Sequence, residues 1–161
     1  MADGRVQISI DTRHAEVARQ AVAAGATIIN DVSSTLDGVA ADLGVGWVAM
    51  HMQGDPRTMQ DEPAYDNVVA EVRDFLVDRA ERATAAGVSE VWIDPGIGFG
   101  KTIGHNLALL ARLDALVSTG WRWSWVSVAS AFWANSPGAV TSGRATRRQS
   151  RPRLTTGVRP R

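Results

Sequence analysis

Four short apolar runs constrain this chain more than anything else in it, because each ends on a polar group and is followed by a helical pattern. They are residues 6–10 before Asp11-Thr12, 27–29 before Asn30-Asp31, 45–50 before His51-Met52, and 91–93 before Asp94. Strand, loop and amphipathic helix repeated in this way predict a parallel sheet with right-handed crossovers. In such sheets ligand groups gather where strands give way to loops, so Asp11, Asn30, His51 and Asp94 are expected at one rim. Two carboxylates and an amide facing inward would grip a ligand presenting several N–H donors, such as a guanidine-like edge. A charge-assisted hydrogen bond of that kind is worth about 1.5–3 kcal/mol.

The intervening helices follow from the same pattern. Thr12 is expected to N-cap a first helix with a stripe of Ala15, Val17, Ala18, Ala21 and Val22, ended by Gly25. A brief helix over 37–43 follows, then the longest, over about 66–86, with Val72, Phe75, Leu76, Ala80 and Ala83 on one side and Gly87 at its end. The last runs from about 106 to 117 through Leu107, Leu110, Leu113 and Leu116, closed by Gly120. Between the third strand and the long helix, residues 53–65 show no period and are long enough to carry function.

The fourth run opens the stretch VWIDPGIGFGKT, residues 91–102. Its GIGFGKT is not a nucleotide-binding P-loop. That loop needs a glycine where Pro95 stands, and Pro95 has no N–H to offer a phosphate. His14, His51 and His105 have no metal-ligand spacing, and the chain has no cysteine, so neither a disulfide nor a thiolate site is available.

With 161 residues and 45% apolar content the chain can bury one real core, but it is short for a closed eightfold barrel, which takes about 200 residues or more. No apolar run approaches membrane-spanning length and the start is no signal peptide, so the expectation is a soluble cytoplasmic protein with no membrane partner. The zero net charge hides an asymmetry. Residues 1–114 hold all 17 acids and 9 of the 17 Lys+Arg, while 115–161 hold the other eight, all arginine, together with four of the six tryptophans. A basic, aromatic tail suits nucleic-acid contact. No nucleic-acid motif accompanies it, so the expectation is no nucleic-acid partner.

Taken together, ISIDT (8–12), INDVSS (29–34), MHMQGDPRTMQ (50–60) and DPGIGFGKT (94–102) resemble, in order, the motifs of the dihydropteroate synthase family. The resemblance runs from Val6 to about Gly120. It implies an α/β fold, a TIM (β/α)8 barrel with parallel strands, of which only the central units are expected here. It also implies an enzyme that condenses 6-hydroxymethyl-7,8-dihydropterin diphosphate with 4-aminobenzoate, aided by Mg²⁺. By motif, Asp11, Asn30 and Asp94 would hydrogen-bond the pterin and Met50 would pack on its ring. Phe99 would border the aminobenzoate pocket, and Lys101 beside it is assigned to the same loop site; His51 is read as structural. Without the resemblance, strand capping and core packing account for these residues equally well. The family also implies a homodimer. Two alternatives stay open: a pterin-binding methyltransferase of related barrel fold, and a non-enzymatic protein that binds through its basic tail.

Two departures from the family shape the expectations. No Asn-x-Thr-Pro-Asp-Ser-Phe segment precedes Val6, so the first two β/α units, and the Mg²⁺ ligand segment with them, are expected to be missing. After Gly120 the family offers a strand running into Ser-Arg-Lys, where this chain has WRWSWVSVASAFWANSPG. Codons permitted for these residues, read from the last base of the Trp121 codon, spell AVVVGVSRKRFLGELAG. The expected organisation is therefore a pterin-binding segment over 1–120 and an out-of-frame, poorly ordered tail over 121–161, with residues 142–161 extended. The chain itself is expected to be an inactive fragment.

Overall fold

The computed structural model describes residues 6–124. The extended conformation expected of residues 142–161 lies outside them. Five strands form one sheet in sequence order: β1 (Ser9–Asp11), β2 (Ile28–Asp31), β3 (Gly46–Met50), β4 (Val91–Asp94) and β5 (Arg122–Trp123). Every neighbouring pair is parallel. The helices between them are α1 (Ala15–Ala23), α2 (Asp37–Leu43), α3 (Val68–Ala85), α4 (Ile103–Ala111) and α5 (Leu113–Val117). None is long and apolar enough to cross a membrane.

Register divides the sheet into two faces. Ile29 pairs with Trp47 and Trp47 with Val91, while Asp31 pairs with Ala49 and Ala49 with Ile93. Because successive side chains point to opposite faces, these residues share one side. The apolar ones pack with Ala18, Ala40, Val72, Leu76, Ala80, Leu109 and Leu116 in the core, which is the helix-covered face. The other parity collects Asp11, Asn30, Val48 and Met50 with Trp92 and Asp94. On that face Trp92 lies over Gly46, where an added Cβ would come 2.7 Å from the indole ring. Size complementarity across neighbouring strands thus fills the space below the polar rim.

Local differences from the sequence reading have physical causes. Thr12 does not cap α1; its hydroxyl accepts from the His14 N–H two residues on, a tight turn, and His14 becomes the N-cap without a side-chain bond. Val17 is 44% exposed while Ala18 is fully buried, so the α1 stripe is narrower than its composition suggests. The last helix begins three residues earlier than expected. Thr102 accepts from the His105 N–H, and His105 Nδ1 accepts in return from Thr102, forming a capping box. It also breaks at Arg112 into α4 and α5. Beyond Gly120 the sheet continues, with β5 pairing to β4 and Ser124 N–H donating to Ile93 O.

Two substitutions in α1 check this packing. Val17→Ala is expected to change unfolding free energy by no more than about 0.5 kcal/mol, and Ala18→Leu to cost about 1–3 kcal/mol. Urea unfolding of both variants decides; equal effects at the two positions would contradict the burial described.

Candidate functional site

The rim is set by register. Asp11 pairs with Asn30, Asn30 with Val48, and Met50, two residues beyond Val48, with Asp94. Asp11, Asn30, Met50 and Asp94 therefore stand on one face, the face opposite the helices, at the C-terminal ends of four neighbouring strands. Neighbouring strands lie about 4.8 Å apart and residues rise about 3.3 Å along them; Asn30 is level with Trp92, two residues before Asp94, so Asn30 and Asp94 are about 12 Å apart.

Asn30 is buried, and its Nδ2 donates to Asp11 Oδ2 at 3.3 Å. A carboxylate only accepts, so this bond fixes which way the amide faces. Its Oδ1 is buried with no hydrogen-bond partner among the described residues. An unsatisfied buried acceptor costs about 1–3 kcal/mol, and an N–H donor from a ligand would remove that cost. Asp94 is buried at the end of β4, and its Oδ1 accepts from the Gly96 N–H at 2.7 Å.

Next to Asn30, Asp31 points to the helix side and organises the loop after β2. Its carboxylate accepts from the N–H groups of Ser33, Thr35 and Leu36, from the Ser33 hydroxyl, and from the Trp47 indole. Ser34 is held in the left-handed region at φ 51°, and its hydroxyl donates to Met50 O. Sequence reasoning did not single out Asp31. The signal was the polar run Ser33, Ser34, Thr35 directly after a buried acid, a set of donors with one acceptor nearby.

The loops after β3 and β4 press together. Gly96 and Gly100 have φ +62° and +59°, and added Cβ atoms would lie 2.0 Å from His51 O and 2.2 Å from Gln53 O. Side chains take the carbonyls of the β4–α4 loop: Gln60 binds Gly98 O, Tyr65 donates to Gly100 O at 2.7 Å, and Asn106 spans Gly98 N and Thr102 O. The Lys101 amine turns inward to Gly96 O, Phe99 O, His51 O and His51 Nδ1. Phe99, between these anchors, is half-buried. From Met50 an open cleft of about 460 Å³ runs to Arg13 and Arg79, whose guanidinium stacks on Phe75. Sequence reasoning named neither arginine.

Burial, with a smaller effect of the Lys101 charge, lowers the His51 pKa to about 3. Burial likewise lowers that of Lys101 to about 7 against the pull of Asp94, and burial raises Tyr65 to about 12. Among the described residues no group of three or more His, Cys, Asp or Glu is placed to hold a metal ion. The magnesium site implied by resemblance is therefore assigned to none of them.

His51 generates a pH prediction. Its native pKa lies below the unfolded value near 6.5, so between about 3 and 6.5 the unfolded chain binds the extra proton. The stability it contributes is fully present above about pH 6.5 and is lost as pH falls toward 3, with a slope of at most about 1.4 kcal/mol per pH unit. Urea midpoints from pH 6.5 to 4 should fall more steeply for wild type than for His51→Asn; parallel profiles would contradict a buried neutral imidazole.

Comparison with known proteins now bears on this rim. Residues 1–147 match the family described as pterin binding enzyme. The dihydropteroate synthase of Escherichia coli strain K12 is 45% identical over 114 residues, covering 67% of this chain and 40% of that protein. Dihydropteroate synthase from Thermus thermophilus, solved in complex with 6HMPPP, superposes with a TM-score of 0.72 at 47% identity, covering 74% of this chain and 50% of that one. The same enzyme solved with 4-aminobenzoate gives the same score and identity. The parallel β/α sheet is thus part of the fold those enzymes share, and the chain spans about 40% of the length of the curated relative. With its motifs, its register and its family match in agreement, this chain belongs to the pterin binding enzyme family.

Proposed function

We propose that this chain is the pterin-holding part of a dihydropteroate synthase, which joins 6-hydroxymethyl-7,8-dihydropterin diphosphate to 4-aminobenzoate. The observation that carries this is the buried, unpartnered Oδ1 of Asn30 between two aspartates on one sheet face. The pterin's amino-pyrimidinone edge offers several N–H donors in a plane, and Asp11, Asn30 and Asp94 offer acceptors on three strands. In this proposal Met50 packs on the ring. Phe99, on the loop after Asp94, borders the side from which the aminobenzoate amine approaches. In the reaction the amine nitrogen bonds to the pterin methylene, the C–O bond breaks with its electron pair going to diphosphate, and the nitrogen loses a proton. The role of these residues is to orient the ring and keep water from its edge, where a low dielectric strengthens each hydrogen bond. Solved relatives bound to 6HMPPP and to 4-aminobenzoate support the substrate assignment. The methyltransferase alternative lacks that support. Cytoplasmic location and a homodimer belong to the same proposal.

The proposal extends to the segment after Gly120, which we read as translated out of frame. A strand covered on both faces is ordinarily apolar, yet β5, at the edge of the described sheet, presents Arg122 and Trp123, both exposed. The alternate reading AVVVGVSRKRFLG supplies β-branched residues at that place. Sequencing the gene settles it: an alternate frame that does not encode SRKRFLG ends the idea.

Titration of the chain with 6-hydroxymethylpterin tests the ring site. Asp94→Asn and Asn30→Leu should each weaken binding by about tenfold or more, corresponding to loss of one or more hydrogen bonds at about 1.5–3 kcal/mol each. Asp42→Asn, on the far surface of α2, should leave it unchanged. Equal affinity across all three variants would remove the pterin assignment.

A further inference from the structure

We propose that Lys101 is a positioning residue whose buried amine joins the β3–α3 loop to the β4–α4 loop, setting where Met50, Asp94 and Phe99 stand relative to one another. The inference rests on the reading above, in which those three residues border the ligand.

Lys101 is only 2% exposed, so it is not a solvated loop lysine. Its Nζ has four acceptors within 3.1 Å, two from each loop: His51 Nδ1 at 3.0 Å and His51 O at 3.1 Å, then Gly96 O and Phe99 O, both at 3.0 Å. An ammonium has three protons to share among them and a neutral amine has two. The loops meet backbone on backbone at Gly96 and Gly100, with no room for a side chain. Three carbonyl oxygens from the two loops therefore point at one small volume. Their dipoles repel unless a cation stands between them, and a methylene chain of the same length would leave them unsatisfied.

The placement also matters for what the loops carry. His51 follows Met50 directly, and its N–H donates to Asp94 O at 3.0 Å. Gly96 N–H holds the Asp94 carboxylate, and Gly96 O accepts from both Lys101 and Phe99 N–H. A change at the Lys101 amine thus reaches Asp94 through the backbones of Gly96 and His51, and Phe99 directly through its carbonyl. An ammonium has no lone pair to accept with, so with Lys101 charged the neutral His51 ring accepts at Nδ1 and carries its proton on Nε2.

The test uses the full 161-residue chain, ¹⁵N-labelled, and its Lys101→Met variant. In the wild type the His51 imidazole spectrum should show Nε2 protonated. In K101M the amides of residues 96–100 should exchange about tenfold faster or more, with α3 amides unchanged, as for a local opening. Binding of 6-hydroxymethylpterin should weaken in K101M, and the exposed control Gly104→Ala should match wild type. Faster loop exchange with unchanged pterin affinity would overturn the positioning role, as would loop exchange equal to wild type. Should K101M not fold, the wild-type spectrum decides alone: a proton on Nε2 sustains the proposal and a proton on Nδ1 overturns it. A wild-type chain that binds no pterin counts against the functional reading, while the exchange and the tautomer still judge the junction.

Discussion

Loops at the strand ends of a parallel sheet lie outside any ladder, and each of their buried peptide groups must still find a partner. In this chain side chains meet that demand. Asp31 gathers three backbone N–H groups after β2, and Gln60, Tyr65, Lys101 and Asn106 take the carbonyls and an amide after β4. The loops hold a definite course as a result, and the residues at their roots keep definite directions. The rim is hydrogen-bonded where it is irregular, which suits the proposed recognition of a flat ring.

Two of the buried charged residues that serve these loops, Asp31 and Lys101, have opposite signs and opposite tasks. Asp31 is an acceptor surrounded by donors, and Lys101 is a donor surrounded by acceptors. Each is desolvated, so each is tolerable only because the backbone supplies several complementary dipoles at once. Arg82 adds a third link, joining α3 to Asp37 and to Ser34 O on the loop after β2. At the other end of the sheet Glu90 accepts from Gln7, before β1, and from Arg122 of β5. Val6 and Ile8 near the start of the sheet are 85% and 55% exposed, a feature of edge strands that pair with further structure or with other chains.

Much of this architecture was legible because strands and helices leave periodic marks. The four runs expected to end at Asp11, Asn30, His51 and Asp94 became strands in that order, and register put Asp11, Asn30 and Asp94 on one face; there Met50 takes the place expected of His51, which lies one residue past the end of β3. The motif order also carried the family. What stayed hidden depended on hydrogen bonds that no period records. Thr12 bonding its second neighbour moved the start of α1, and the Thr102–His105 exchange moved the start of α4. The inward turn of Lys101 was hidden for a different reason. From sequence it is a lysine after glycines, and only the approach of the β3–α3 loop makes a buried place for its charge.

The tryptophan lying over Gly46 has a consequence for sequences rather than for ligands. The two positions divide a fixed volume on the open face of the sheet, so neither is free to vary alone. A relative with a side chain at the position of Gly46 must move its aromatic ring or surrender it for something smaller. Across the family the two sites should therefore change as one character, with glycine tied to the indole and larger residues to its loss. Such paired inheritance would be a mark of depth: it would tell, from alignments alone, how far down the interior is already filled.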